Sequence, residues 1–140
     1  MFKPLEGVKV IDLTYFVAGP GAARILADWG ADVIKVEPSF GDPGRGTGAT
    51  MSCPIEKGCN PFYTAYNANK RGLSLNLKSE EGKAVLDKLL ETADVFLSSY
   101  RTGALKRLWI ATNLESMLAH FFKSMTLIKI LCRNVLFINA

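Results

Sequence analysis

Histidine, paired cysteines and long apolar runs are what this sequence has least of. Its 140 residues hold three cysteines and one histidine. Cys53, Cys59 and Cys132 are odd in number and include no CxxC pair. That argues against a disulfide framework and for a reducing, cytoplasmic setting. Neither Cys53 nor Cys59 has a histidine or helix start beside it to lower a thiol pKa. His120 has no second histidine or cysteine at ligand spacing, so no metal site is expected. No serine stands in a nucleophile-elbow motif. No basic cap leads into an apolar run at the start, so no secretory leader is expected. The greasiest stretch, 125–138, is interrupted by Lys129 and Arg133. It falls short of the roughly 20 apolar residues that a membrane span requires. A basic stripe is missing too: the net charge of +4 is spread along the chain. That does not argue for a nucleic-acid surface, and none is expected, while an anionic ligand would suit it.

What is present is a sequence of alternating strand and helix signals. Hydrophobic residues make up 49% and charged residues 21%, a composition that can bury a core. Val8–Leu13 reads as a strand, and Ala18-Gly19-Pro20-Gly21 as the turn after it. Pro20 suits a first helical position, and 22–29 has helical spacing with Gly30 as a natural stop. Asp32–Glu37 reads as a second strand, completing a βαβ unit with a parallel pair. Residues 38–61 are rich in Gly and Pro and read as a long loop, a feature more often functional than accidental. Gly72–Leu77 alternates as a strand does. Ser79 is a candidate N-cap, with Glu80 and Glu81 in the first turn of a helix that runs to about Thr92 on Val85, Leu86, Leu89 and Leu90. Asp94–Ser98 is a last strand. The expected fold is α/β with a mostly parallel sheet. From Trp109 onward the chain has no Gly or Pro; Met117, Leu118, Phe121 and Phe122 could form one helical face, and Leu127–Leu131 and Val135–Ile138 are apolar pieces that fit helix or strand.

Several residues invite chemistry. Gly19-Pro20-Gly21 opens a helix, and Glu37 ends the next strand where a ribose-binding acid would stand in a dinucleotide fold. Against this NAD-binding alternative, Pro20 removes a backbone donor from the turn, and Arg24 takes the place of the third glycine. Asp42 and Arg45 could position a substrate or pair with each other at the surface. Lys70, Arg71, Lys78, Arg101, Lys106 and Arg107 fall near strand ends, where a phosphate-bearing ligand would find them useful and where solvent-facing cations are also ordinary.

Taken in order, the motifs resemble the opening of family III coenzyme A-transferases, the CaiB/BaiF type. The resemblance is carried by Pro4-Leu5-Glu6-Gly7-Val8-Lys9-Val10-Ile11-Asp12-Leu13-Thr14, by Ala18-Gly19-Pro20, and by the run from Leu26 to Glu37. It continues through Gly41-Asp42-Pro43 with Arg45, Asn67-Ala68-Asn69-Lys70-Arg71 with Leu73 to Lys78, Glu81-Gly82-Lys83 and Ala93-Asp94-Val95. It covers residues 4–108. It implies a Rossmann-like α/β domain, of which 1–108 would be the amino-terminal part and 109–140 a divergent tail. It also implies an interlocked homodimer of full-length chains.

The implied reaction moves CoA from an acyl-CoA to a carboxylic acid. An aspartate attacks the donor thioester to give a mixed anhydride, and the CoA thiolate then forms an enzyme-bound thioester before the acceptor acid is activated in turn. Phe16, Val17, Leu75, Lys78, Tyr100, Arg107 and Leu108 match positions that contact CoA in the family. Apolar slots for adenine and cations for phosphates make that set chemically sensible.

Departures accompany the match. Pro38 stands where an Arg is usual, Ser99 replaces Asn, Asn76 replaces Asp, and Trp109 replaces Gly. The Asn-Leu-Lys form and the insert after Arg45 lean toward transferases of 2-hydroxy acids. The family's nucleophile lies in a Gly-aromatic-Asp motif that this sequence does not contain. No catalytic residue is therefore assigned, and the chain alone is expected to be an inactive, truncated form. The alternative is a non-catalytic fragment that binds CoA or another subunit.

Overall fold

The computed structural model describes residues 2–47, 52–53, 55–57 and 59–100. The expectations for Arg107, Leu108 and 109–140 lie outside the described residues.

Among the described residues four parallel strands form the sheet: β1 (Lys9–Leu13), β2 (Asp32–Glu37), β3 (Arg71–Ser74) and β4 (Val95–Ser98). Their order across the sheet is β3-β2-β1-β4. Among the described residues the helices are α1 (Ala18–Asp28), α2 (Pro61–Asn67) and α3 (Glu80–Glu91), with a 3₁₀ turn at Pro43–Gly46.

Strand alternation sends successive side chains to opposite faces, and two hydrophobic clusters result. Val10, Val33 and Leu97 pack with Ala23, Ala27 and Ala31 on the α1 side. Ile11, Leu13, Val36 and Phe96 pack with Leu86 and Leu90 of α3 on the other. Each large aliphatic side chain buried this way contributes about 1.5–3 kcal/mol. Small alanines on α1 let that helix lie close to the sheet.

The sequence expectations for β1, β2, β4 and α3 hold to within a residue or two. Ser79 caps α3 as expected, with its Oγ accepting from the Gly82 amide at 3.1 Å. Of the stripe expected on α3, Leu86 and Leu90 are buried while Val85 is 41% exposed. Gly30 ends α1 region with φ of 98°, a left-handed conformation that glycine adopts without steric cost.

Three local expectations need correction. Helix α1 begins at Ala18, so Pro20 is its third residue. Proline is tolerated there because the N–H groups of the first turn have no intrahelical partner. Strand β3 ends at Ser74, earlier than the alternation Leu73, Leu75, Leu77 suggests. Leu75 and Leu77 do pack on the core, but the chain turns away as the Ser79 amide bonds the Asn76 carbonyl at 3.0 Å. Finally, the loop expected at 38–61 holds the 3₁₀ turn at Pro43–Gly46, and a helix the sequence reading did not assign, α2, starts at its last residue, Pro61, capped by the Asn60 side chain.

Candidate functional site

Strand β1 has β2 on one side and β4 on the other, so the chain leaves the sheet in opposite directions from neighbouring strands. In open parallel sheets a crevice forms at such a point, outside the carboxyl ends. Here a cavity of about 290 Å³ lies there, lined by 14–19, Ala22 and 97–99. None of these residues is charged. A second cavity of about 320 Å³ lies on the β2 side, lined by Leu13, Thr14, Tyr15, 36–38, Phe40, Asp42, Pro43 and Tyr100. Thr14 and Tyr15 belong to both walls.

The segment between the cavities is the β1–α1 turn, and side chains from several elements hold it. Asp12 Oδ1 accepts from the Thr14 amide at 3.0 Å and from the Thr14 hydroxyl. The Thr14 carbonyl accepts from Lys35 Nζ at 2.8 Å. Ser99 Oγ accepts from the Tyr15 amide at 3.1 Å, and Asp42 Oδ1 from the Phe16 amide at 3.3 Å. Gly19 allows α1 to approach: a Cβ there would fall 2.5 Å from the Thr14 Cβ. Phe16 itself has φ of 68°, a conformation that costs a non-glycine residue roughly 1–2 kcal/mol. Strain of this kind persists where the surroundings over-determine the backbone.

Beneath the turn are two buried ion pairs. Val10 and Val33 are followed on the same face by Asp12 and Lys35, which are register partners across β1 and β2. Asp12 Oδ2 pairs with Lys70 Nζ at 2.9 Å, the side chains being 0% and 2% exposed. Lys70 spends its other two protons on the Pro20 carbonyl at 2.8 Å and Asn67 Oδ1 at 2.9 Å, which completes an ammonium's donor set. Burial nevertheless pulls the Lys70 pKa below its ordinary value, the Asp12 charge opposing that shift. Lys35 Nζ faces Asp42 Oδ2 at 2.8 Å, both side chains being 1% exposed. That contact is held by charge, with no hydrogen bond directed at the oxygen.

Glu37 closes the β2 side. Its Oε2 accepts from the Asp42 amide at 3.1 Å and Arg45 Nε at 2.8 Å. Its Oε1 accepts from an Arg45 terminal nitrogen at 3.0 Å and from the Tyr63 hydroxyl. Burial pushes the Glu37 pKa up, and the hydrogen bonds from Arg45 and Tyr63 outweigh it, so the net shift is downward. Burial and the Glu37 charge push Tyr63 upward. The Arg45 guanidinium also lies over the Tyr63 ring, 3.9 Å from its centroid. Four donors saturate the Glu37 carboxylate, leaving it no place for the ribose of a dinucleotide. Asp42 and Arg45 likewise do not pair with each other, as their spacing suggested; Asp42 takes Lys35 and Arg45 takes Glu37.

Of the residues singled out from the sequence, Phe16 and Val17 line the first cavity. Tyr100 lines the second and stacks edge-on against Tyr15, with ring centroids 5.5 Å apart. Burial raises the Tyr100 pKa, with Tyr15 and Asp42 adding to it. Leu75 packs on the same hydrophobic cluster as Tyr100. Lys78 is exposed just beyond, its amide bonded to Asn76 Oδ1 at 3.1 Å. Neither Leu75 nor Lys78 lines these two cavities. Arg71 lies at the amino end of β3, away from the cavities, where it forks onto Asp32 at 2.8 and 2.6 Å.

Sequence reasoning passed over Tyr15, Ser99 as a turn anchor, and the buried roles of Asp12, Lys35 and Lys70. A charged residue in a strand otherwise made of Val, Ile and Leu was the available signal. Among the described residues no cluster of His, Cys, Asp and Glu could hold a metal ion, Cys53 and Cys59 are free thiols, and no helix is long and apolar enough to cross a membrane.

Comparison with known proteins gives consistent results. The family model for CoA-transferase family III matches residues 5–117. The (R)-2-hydroxy-4-methylpentanoate CoA-transferase of Clostridioides difficile is 48% identical over 107 residues, covering 76% of this chain and 27% of that protein. The cinnamoyl-CoA:phenyllactate CoA-transferase of Clostridium sporogenes is 48% identical over 100 residues, covering 71% and 24%. A crystal structure of a CAIB/BAIF family protein from Brucella suis superposes with a TM-score of 0.73 at 33% identity, covering 85% of this chain and 31% of that one. The chain thus spans about a quarter of the length of these curated relatives.

Proposed function

The chain belongs to CoA-transferase family III, and on that premise we propose that its described residues form one wall of an acyl-CoA site in a protein that passes CoA to a carboxylic acid. The observation that carries this reading is the uncharged cavity at the carboxyl ends of β1 and β4, with Phe16 and Val17 in its lining. A thioester carbonyl placed there meets the amino end of α1, whose unpaired N–H groups and positive dipole end favour a developing oxyanion. On the β2 side, Tyr100 and Leu75 offer an apolar surface for adenine, and Lys78 a cation for phosphate. Arg107 and Leu108, outside the described residues, stay in the proposed CoA set on the family resemblance alone.

The cavity's lack of charge bears on the acyl group. Among the described residues none in the lining would pair with a second carboxylate on the substrate, whose burial unpaired is costly. An apolar branched or aromatic acid avoids that cost. The two relatives named for 2-hydroxy-4-methylpentanoate and phenyllactate support the same class, 2-hydroxy acids with apolar side chains.

The covalent step requires a carboxylate nucleophile, and the Gly-aromatic-Asp motif expected to supply it does not occur in this sequence. Residues 1–140 therefore serve binding in this reading, with 1–108 as the amino-terminal part of the transferase domain and a homodimer as the working assembly. Titration calorimetry of the chain with CoA, with NADH as control, tests it. CoA should bind and NADH should not. Phe16→Asn, which keeps a residue tolerant of the left-handed conformation but removes the ring, should weaken CoA binding by about fivefold or more, on the scale of one lost aromatic contact. Binding of NADH, or CoA affinity indifferent to Phe16, would overturn the reading.

A further inference from the structure

Asp42 is placed where two loops meet. Its Oδ1 accepts from the Gly44 amide at 2.7 Å, within the loop after β2, and from the Phe16 amide at 3.3 Å, across in the β1–α1 turn. Its Oδ2 faces Lys35 Nζ at 2.8 Å, and Lys35 in turn bonds the carbonyl of Thr14, two residues before Phe16. The carboxylate and the ammonium thus grip the same turn from two points. The turn so gripped contains the one residue in it with a strained backbone, Phe16, at φ of 68° and with 44% of its surface exposed.

A buried ion pair is a poor device for stability alone, because desolvation offsets the attraction and an apolar pair of similar volume serves as well. What an apolar pair cannot supply is an acceptor for the Phe16 N–H. Left without it, that amide has no partner among the described residues, and the left-handed conformation loses the bond that offsets its strain.

We propose that Asp42 is a positioning residue: with Lys35 behind it, its carboxylate holds the Phe16 backbone in the left-handed conformation that presents the Phe16 ring and Val17 to the cavity at the ends of β1 and β4. This rests on the reading of that cavity as the CoA site. Asp42 acts through Phe16 and sets the shape of the wall without bonding the ligand itself.

Two double variants separate this role from general stability. Lys35→Met with Asp42→Asn removes both charges but keeps a side-chain oxygen for the Phe16 amide. Lys35→Met with Asp42→Ala removes the charges and the oxygen. Both replace the buried pair by neutral side chains, so the lost ion pair weighs equally on each. Native-state amide exchange followed by NMR and CoA titration are measured on both, in the full chain. The alanine form should exchange the Phe16 amide about fivefold faster than the asparagine form and bind CoA about fivefold more weakly, the scale of one net hydrogen bond. The Val10 and Val33 amides should exchange alike in the two. Equal Phe16 exchange in both variants overturns the proposal, and so does faster exchange with unchanged CoA affinity. If the parent chain binds no CoA, the reading of the cavity fails instead, and the exchange comparison still decides whether Asp42 holds Phe16.

Discussion

Lys70 Nζ lies 2.9 Å from Asp12 Oδ2 across 58 residues of sequence, in a pair whose side chains are almost wholly shut off from water. The pair joins the segment before β3 to β1, one of the two inner strands, and through the Pro20 carbonyl it also joins both to α1. Three separate segments meet at one ammonium.

Removing one partner should therefore be costly. Lys70→Met leaves the Asp12 carboxylate buried without its cation and should lower unfolding free energy by about 3–5 kcal/mol. Adding Asp12→Asn should recover a large part of that loss, since the remaining buried groups are then neutral. Urea denaturation of the parent, single and double variants measures it. A single variant as stable as the parent would show that the ammonium contributes nothing.

Gly19 and Gly21 flank the same proline yet differ in surroundings. A Cβ at Gly19 would lie 2.5 Å from the Thr14 Cβ, whereas one at Gly21 would meet the Tyr66 ring at 3.5 Å, an ordinary contact. Gly19→Ala should destabilise by about 1–3 kcal/mol, as overpacking does. Gly21→Ala should be neutral or stabilise by about 0.5–1 kcal/mol, because alanine is the better helix former. Thermal melts of the two variants should move in different directions or by clearly different amounts.

The Glu37 cluster gives stability a dependence on acid. Its pKa is held below the ordinary 4.5 in the folded chain, the bonds from Arg45 and Tyr63 outweighing burial. A depressed carboxylate contributes stability that is full above the unfolded value and is lost as pH falls through the folded one. The parent should thus lose stability on acidification below about pH 4.5 more steeply than Glu37→Gln does. Tyr63→Phe removes one of the four donors and should move the Glu37 transition toward higher pH. Chemical denaturation at a series of pH values between neutral and acid checks both; parallel curves for the parent and Glu37→Gln would contradict the assignment.

How much of this was legible in the sequence depends on the range of the interactions involved. Strands β1, β2 and β4 announced themselves through β-branched and aliphatic runs, which reflect burial on both faces of a parallel sheet. Helix α3 was legible because Ser79 and the leucines at helical spacing are local signals. Helix α2 was missed because Phe62, Tyr63 and Tyr66 lack an aliphatic stripe, although Asn60 followed by Pro61 was a readable start signal. Strand β3 was read too long: the Leu75 amide makes a last bond to the Glu37 carbonyl at 2.8 Å, and Leu77 beyond it is partly buried by packing on the hydrophobic cluster rather than by strand pairing.

The sequence alone determined the alternation of strands and helices, the capping of α3, the turn at Gly30 and the family to which the ordered motifs belong. All of these rest on contacts between residues close in the chain or on motif order. Tertiary structure decided the partners. Asp42 and Arg45 are three residues apart and look like a pair, yet the fold gives them Lys35 and Glu37. Phe16 looks like an ordinary apolar residue after a strand, yet an aspartate 26 residues away fixes its backbone. Charges choose partners by distance and burial in space, and a sequence carries neither until strands β1 and β2 are laid side by side.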